Sequence, residues 1–449
     1  MDEMNFEMLN ELLAAGKFGT LKSELNELNE VDIAEFFGSL EPKQQLLVFR
    51  ILSKDMSAEV FAYLEPDDQI NIVNLITDRE LSELVDELFL DDTVDFLEEV
   101  PANVVTRVLK AADKETRQLI NRFLSYPENS AGSIMTIEMV QLHDYLTVEE
   151  AIENIRRTGI DKETIYTCYC IDKARHLVGT IDLSELIFND SNTLLSDIME
   201  EDASLISVNT LDDQEYVADI VTKYDLLSVP VTDNENRLVG IITIDDVIDV
   251  IEEEVTEDFE KMAAMTPSDD EYLKTGVFKL AKNRILWLLI LMISGTFTGK
   301  IIEGYETLLA GFVALTASMP MLMGTGGNAG SQASTLIIRG LAVGEIEIKD
   351  YFKIVMKELR VAAVCGIVLG AANILRMYLF SEGTIEVFLV VSLAMFIAIV
   401  VAKLIGCSLP IFAKIVKLDP ALMAGPMIAT LVDIVTLVIY FALAKVFLL

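Results

Sequence analysis

The 449-residue chain is poor in soft ligands: it has two histidines, four cysteines and one tryptophan. Cys168, Cys170, Cys365 and Cys407 match no zinc-site spacing, and Cys168-x-Cys170 is expected to be one buried face of a strand. Basic residues are scarce too. Lys and Arg total 34 against 72 Asp and Glu, a formal net charge of −38. Such a surface repels phosphates and anionic headgroups, which excludes nucleic acid as a partner, and it attracts cations. No Ser/His/Asp set, P-loop or H-E-x-x-H is present, so the expectation is a protein that is not an enzyme. The opening MDEMNFEMLNELL is acidic and lacks an apolar core of signal-peptide length, so the front of the chain is not expected to be secreted.

Apolar residues are abundant. They make up 52% of the chain, and the mean hydropathy is +0.42. High hydropathy and high acidity together mean two regions of opposite character. Residues 284–449 hold 10 acidic and 12 basic side chains, whereas residues 1–283 hold 62 acidic and 22 basic, a net charge of −40.

Residues 1–130 have apolar positions three and four apart, as in VDIAEFFGSL and ELVDELFLDDTVDFLEEV, and are expected to form helices. AEFFGSLEP (34–42) resembles AEVFAYLEP (58–66), and DFLEEVP (95–101) echoes both. Each ends in a proline, which stops one helix or opens the next. The expectation is a superhelical or solenoid-like stack of short helices. Residues 131–196 and 197–253 contain a tandem repeat of roughly 60 residues, with Leu177-Val178-Gly179 equivalent to Leu238-Val239-Gly240. Each copy has a lead-in strand, a helix, a hairpin and a closing helix. In order and spacing this α/β pair resembles tandem CBS domains. The second copy runs into DDVIDVIEEEVTEDFEKM, which is expected to be a long helix leading towards the membrane. Residues 254–283 are expected to be a connecting (plug) helix, broken at MTPSDDEYLKTG before Lys279, Lys282 and Arg284.

From Arg284 the pattern is that of an α-helical membrane protein. Five spans are expected at about 285–302, 308–338, 358–380, 386–411 and 421–448. Spans of this length cross ~30 Å of hydrocarbon. Arg339, Lys349, Lys353, Lys357 and Arg360 lie between spans two and three, and Lys414 and Lys417 between four and five. The other two links carry no Lys or Arg, so the N-terminus is expected in the cytoplasm and the C-terminus outside, in a multi-pass cell-membrane protein. GEIEIKDYFKIVMKEL is expected to lie along the inner surface as an amphipathic helix.

Asp433 lies near the middle of the fifth span. A central Asp costs roughly 2.5–3.5 kcal/mol of insertion and usually faces a bundle interior or an aqueous path. The competing reading is a structural acid paired with Lys403. Gly425-Pro426 stands two turns earlier, and Pro426 is expected to free carbonyls around Leu422. Ala429 shares the Asp433 face, with Thr430 adjacent. A carboxylate with free carbonyls suits a hard, hydrated cation. In span two, MLMGTGGNAGSQAS follows Pro320, which with the glycines is expected to kink or thin the helix. Gly324, Gly326, Gly327 and Gly330 allow close helix approach, and Asn328 and Gln332 share a face. This stretch is a packing seam, a pore lining, or both.

Soluble acids form a second constellation: Glu59, Asp91 and Asp95 in the helical stack, then Glu215, Asp225, Asp246, Asp249, Glu252, Glu253, Glu254, Glu257 and Asp258. Asp91 and Asp95 share a helical face, as do Asp246, Asp249, Glu253 and Glu257. Like charges so spaced destabilise a helix, and divalent cations would relieve them. The alternative is a solvated acidic face. Thr243 and Asp246 sit where CBS repeats often hold a ribose, so ATP is a weaker candidate ligand. The first copy departs from that pattern, with GTIDLSEL.

Taken together, the helical stack, the CBS-like pair, the connecting helix, PMLMGTGGNAGSQ and DPALMAGPMIATLVD resemble the MgtE-type magnesium transporters over nearly the whole chain. The resemblance implies a homodimer in a lipid bilayer, with a pore lined mainly by spans two and five. It implies that Asp433, with the Ala429 carbonyl, holds hydrated Mg2+. It implies regulatory Mg2+ ligands at Glu59, Asp91, Asp95, Asp213, Glu215, Asp225, Asp246, Asp249, Glu254, Glu257, Asp258 and Asp419. High internal Mg2+ would bridge the acidic domains and shut the pore. A channel for Mn2+, Co2+ or Ni2+ and a non-transporting Mg2+ sensor are the alternatives.

Overall fold

The structure is a computed structural model that describes residues 3–201, 205–268, 272–273, 275–381 and 383–448. It divides into two compact units, Met1–Ile251 and Glu252–Leu449. Part of the expected helix break, residues 269–271 and 274, lies outside the described residues.

The first unit opens with ten short helices: α1 (Glu3–Ala14), α2 (Phe18–Leu25), α3 (Glu30–Gly38), α4 (Pro42–Phe49), α5 (Lys54–Ala62), α6 (Pro66–Leu75), α7 (Asp78–Glu87), α8 (Leu90–Glu99), α9 (Ala102–Ala111) and α10 (Lys114–Phe123). Pro42 and Pro66 occupy first-turn positions of α4 and α6, where a missing N–H costs nothing. Thr77 and Glu80 close a capping box on α7. From α3 onward the helices pack on those two places along: α3 on α5, α5 on α7, α7 on α9, and likewise α4 on α6, α6 on α8 and α8 on α10, while α1 packs on α2. This is the solenoid-like arrangement that the repeat implied. Its register is visible at two buried glutamines. Gln45 Nε2 donates to the Phe37 carbonyl at 3.0 Å and Gln69 Nε2 to the Phe61 carbonyl at 2.9 Å, at the same position in the two copies. Each bond gives a second partner to a helix-end carbonyl that also accepts a backbone N–H, from Leu40 at Phe37 and from Leu64 at Phe61.

Two β-α-β-β-α units follow. The first has β1 (Met139–His143), α11 (Val148–Thr158), β2 (Thr164–Ile171), β3 (Leu177–Asp182) and α12 (Leu183–Phe188), with a short edge strand β4 (Glu200–Glu201). The second has β5 (Val208–Asn209), α13 (Gln214–Tyr224), β6 (Ser228–Thr232), β7 (Leu238–Thr243) and α14 (Ile244–Met262). In each, the first strand runs parallel to the next, which pairs antiparallel with the third. The copies exchange equivalent bonds: Leu177 N donates to the Asn236 carbonyl and Leu238 N to the Arg175 carbonyl, both at 3.1 Å. Arg175 and Asn236 hold matching left-handed conformations, φ 70° and 60°. Cys168 and Cys170 are both buried in the core of the first copy.

The second unit contains α15 (Val277–Glu303), a short α16 (Glu306–Gly311), α17 (Val313–Ala342), α18 (Tyr351–Phe380), α19 (Ile385–Ile415) and α20 (Gly425–Leu448). Among the described residues four segments are long and apolar enough to cross a membrane: Val277–Glu303, Ile348–Phe380, Ile385–Ile415 and Pro420–Leu448. The fifth long helix, α17, has 30 residues, with the Gly-Asn-Ser-Gln stretch in its middle.

Three local expectations are corrected. The segment expected as a separate surface helix instead supplies a 3-10 turn (Ile348–Asp350) and the first turns of α18, because nothing after Tyr351 breaks the helix. Helix α17 runs without interruption through Pro320. Pro426 is the second residue of α20, after the 3-10 turn Pro420–Met423. At a helix start its missing N–H frees no mid-helix carbonyl.

Candidate functional site

Helices α17 and α20 meet through small residues. A Cβ on Gly326 would come within 3.1 Å of Val432 and 3.0 Å of Thr436 Oγ1, and one on Gly330 within 2.8 Å of Ile428. A Cβ on Gly406 of α19 would stand 2.2 Å from the Gly330 carbonyl oxygen. Two helices, α19 and α20, therefore close on α17 backbone that only glycine leaves open. Ser334 Oγ donates to the Met423 carbonyl at 2.8 Å, and Tyr440 Oη to the Leu315 carbonyl at 2.9 Å. These bonds tie α17 to α20 and to the 3-10 turn that precedes it.

Beside this seam lies a groove of about 400 Å3. One wall is Met323, Gly324, Gly327, Asn328 and Ser331, and the other is Gly425, Pro426, Ala429 and Asp433. The glycine stretch therefore serves both uses, with Gly326 and Gly330 packing while Gly324 and Gly327 line the groove. A Cβ on Gly327 would be 3.4 Å from the Ala429 Cβ and 3.9 Å from Asp433 Oδ1. Three expected lining residues are outside the groove. Pro320 is a turn too early. Gln332 is exposed, rotated from Asn328 away from the Gly324 side. Thr430 turns its hydroxyl back onto the Pro426 carbonyl.

Among the described residues, no hydrogen bond or ion pair reaches the Asp433 carboxylate. Lys403, its expected competitor for a structural role, is occupied elsewhere. The Lys403 ammonium stands 3.4 Å from Glu358 Oε2, and both side chains are almost wholly buried. The groove thus presents one unneutralised carboxylate, the amide of Asn328, the hydroxyl of Ser331 and exposed backbone. All are hard oxygen or nitrogen groups, and none is a cation.

The first unit gathers acids around α8. Asp91 is buried, and Asp91 Oδ1 accepts the Asp92 backbone N–H at 3.0 Å. Burial pushes the Asp91 carboxyl well above its usual range, and Asp92, Asp246 and Glu163 add to the effect. Asp92 is pushed up to about 7 by burial and by Asp246, Glu138 and Asp245. Glu163 is raised to about 7 by burial, then Asp246, Asp245 and Asp92. Asp246 is raised to about 6 by burial, against the pull of Thr243, whose hydroxyl donates to Asp246 Oδ2 at 2.6 Å. Asp95 keeps solvent contact, yet crowding by protein atoms and then Asp246 raise it. Burial is the largest cause at each of these carboxyls, and neighbouring like charge adds to it.

Asp92, Glu138, Glu163 and Asp245 were not expected here. Asp92 adjoins an expected residue, but Glu138 and Glu163 come from loops of the first β-α-β-β-α copy that no periodicity links to α8. Among the described residues no three carboxylates converge on one point. The other expected regulatory residues are dispersed. Glu59 on α5 is raised by burial, Glu30 and Asp55, away from the α8 acids. Asp213 caps α13, accepting the Glu215 backbone N–H at 3.0 Å. Asp225 ends that helix in a left-handed conformation, φ 53°. Asp249 on α14 adds to the field at Asp246.

A third constellation lies in the second unit. Asp419 Oδ1 accepts the Ala421 N–H at 2.7 Å and opens the turn into α20. The Lys261 ammonium stands 2.7 Å from Asp419 Oδ2 and 2.7 Å from Glu257 Oε1. Asp258 is pushed up to about 6 by burial and then Asp419, with Lys261 opposing and Glu254 and Glu257 adding. Burial pulls the Lys261 ammonium down, but the hydrogen bonds it donates to Asp419 and Glu257 outweigh this and leave it raised.

Three comparisons with known proteins bear on these sites. The profile of the MgtE divalent cation transporters matches residues 319–443, which contain the whole groove. The MgtE intracellular N domain matches 28–129, and a CBS domain matches 195–253. A magnesium transporter MgtE of Thermus thermophilus is 36% identical over 452 residues, covering 100% of this chain and 99% of that protein. The chain belongs to the MgtE family. Another magnesium transporter MgtE, from Bacillus subtilis, is 31% identical, covering 97% of this chain and 96% of its own length. Among solved structures, the soluble part of a magnesium transporter has a TM-score of 0.53 at 33% identity, covering 56% of this chain and 98% of its own. The cytosolic domain of the Mg2+ channel MgtE in complex with ATP has a TM-score of 0.51 at 36% identity, covering 54% of this chain and 98% of its own. Like its relatives, the chain is a magnesium transporter with a helical N domain and a CBS domain.

Proposed function

We propose that the protein is a Mg2+ channel for magnesium uptake, gated by Mg2+ on its cytosolic side. The observation that carries this is the Asp433 carboxylate, open to a glycine-walled groove while the nearby membrane ammonium, Lys403, is held by Glu358. Glycine brings backbone close and leaves width, so a hydrated divalent ion enters without surrendering its waters. The single carboxylate attracts it but does not cage it, as conduction requires. Relatives named as magnesium transporters support Mg2+ as cargo over Mn2+, Co2+ or Ni2+. In this reading two copies pair so that two grooves face each other, and the N-terminus lies in the cytoplasm.

The regulatory reading rests on the acids of α8 and their neighbours. Asp91, Asp92, Asp95 and Asp246 would hold Mg2+ there, with hard oxygens only, and Glu254, Glu257, Asp258 and Asp419 would hold it at the end of α14. A bound divalent ion supplies positive charge that lets these carboxylates stay ionised and close together. Without it they repel, and the contact of α8 with the CBS pair loosens. Asp213, Glu215 and Asp225 are assigned as outer ligands. ATP, bound by a relative's cytosolic domain, is a further ligand for the CBS pair.

Mg2+ influx into proteoliposomes, followed with an enclosed indicator, tests the pore. Native flux that vanishes in Asp433→Ala is the expected result. Equal flux in both proteins would remove Asp433 from the path.

A further inference from the structure

The end of α14 carries its own cation. Lys261 Nζ stands 2.7 Å from both Glu257 and Asp419, inside the carboxylate set assigned above to a regulatory divalent ion. The two acids come from different elements. Glu257 lies one turn earlier on α14, and Asp419 caps the turn that leads into α20. The neighbouring residue ties the same two elements. Met262 packs on Ala421 and Ala424, and a Cβ on Gly425 would stand 2.8 Å from the Met262 carbonyl oxygen. An ammonium bridging two carboxylates at this distance takes the space of an ion bridging the same pair. Lysine suits the role better than arginine, since it is a compact charge on a flexible stem and leaves without breaking a bidentate fork.

We propose that Lys261 is a tethered counter-ion that competes with divalent cations for Glu257 and Asp419. It sets the Mg2+ concentration at which the end of α14 is locked to the start of α20. The inference rests on the regulatory reading above. With the ammonium in place, Glu257, Asp258 and Asp419 carry a net charge of −2 when ionised. With it gone, the charge is −3. Mg2+ must displace Lys261, so the native site responds only once Mg2+ is plentiful.

The test uses the full chain in detergent with peroxide and trace Fe2+, which cleaves the backbone where it sits and is kept far below the concentration that saturates either site, so that the Mg2+ midpoint reads Mg2+ affinity alone. Mg2+ is then titrated to suppress cleavage. Native protein should be cut near 257–261 and 419 and, independently, near the α8 acids. In Lys261→Met the Mg2+ that halves the first two cuts should fall by at least about fivefold. That is the effect of removing one positive charge a few ångströms from a divalent ion in a solvated site. Cleavage near α8 should shift by less than about twofold. Lys261→Gln should match Lys261→Met, so that misfolding of one variant does not decide the result, and Lys261→Arg should stay near native. Cuts whose midpoint is unchanged or raised in both neutral variants overturn the competition and leave the regulatory site standing. Absence of any cut near 257–261 and 419 in every protein overturns the regulatory assignment of these acids, and the proposal with it.

Discussion

A buried ion pair and a lone carboxylate divide the work in the membrane part, and each predicts a different failure. Glu358 and Lys403 pair in a buried setting at 3.4 Å. Removing one partner of such a pair leaves an uncompensated buried charge and costs about 3–5 kcal/mol. Lys403→Met should therefore lower the melting temperature in detergent sharply, and Glu358→Gln in the same chain should recover much of the loss. Asp433→Asn keeps the size and polarity of the side chain and removes only the charge. Its melting temperature should match native while Mg2+ influx falls by at least about tenfold. A stable, fully conducting Asp433→Asn would show that the carboxylate is not what the ion meets. Asp433 stood out in the sequence as a candidate because a mid-span acid is costly wherever it stands. The partner of Lys403 was not, since the pair spans 45 positions and two helices. The same holds for Lys261. Its i,i+4 relation to Glu257 could be read from the chain, but Asp419 could be found only in three dimensions.

At the scale of helices, the glycine-rich α17 separates packing from lining. A Cβ on Gly406 would collide with the Gly330 carbonyl oxygen at 2.2 Å, whereas one on Gly324 meets nothing within 4 Å. Gly406→Ala should lose about 1–3 kcal/mol or fail to assemble, and Gly324→Ala should melt like native. Thermal unfolding in detergent compares them. The sequence left seam and lining undecided because both use small residues at the same spacing, and only the packed neighbours distinguish Gly326 and Gly330 from Gly324 and Gly327. Helix α8 yields a pH prediction. Burial and like charge raise Asp92 and Glu163 to about 7, far above carboxylates in an unfolded chain. The folded state therefore holds protons that the unfolded state has released above about pH 4.5, so this contact loses stability as pH rises from there through about 7. Mg2+ should replace the protons. Adding it at pH 7 in weak buffer should release about one proton per chain from this pair, half from each. Release should be near zero at pH 9 and smaller in Asp92→Asn/Glu163→Gln. Equal release from both proteins at pH 7 would detach the α8 acids from Mg2+ binding. Asp91 and Asp95 were visible as one helical face. Glu138 and Glu163 were not, because loops carry no period.

Over the whole molecule, charge and hydropathy are segregated, and that was the most legible feature of all. Residues 1–283 carry a net charge of −40 and residues 284–449 are apolar and slightly basic. The repeats were equally plain, since AEFFGSLEP and AEVFAYLEP each place a buried glutamine at the same offset. What such patterns omit is the meeting of distant segments, so the acids of α8 and of the CBS pair could be named but not brought together. Their meeting makes the strongest demand on the proposed function. If repulsion among these acids is what internal Mg2+ relieves, a chain without them should have nothing to relieve. Deleting residues 1–129 removes α1–α10 and with them Asp91, Asp92 and Asp95, while leaving the CBS pair, the connecting helix and the groove. The shortened chain should still conduct Mg2+ in proteoliposomes. Its influx should persist at cytosolic-side Mg2+ concentrations that stop the full chain, and Asp433→Asn should abolish that influx too. A truncated chain still arrested at the native Mg2+ concentration would move the sensor out of α8 and into the remaining acids, Glu257, Asp258 and Asp419 foremost. Lys261→Met in that truncated chain would then be arrested at still lower Mg2+.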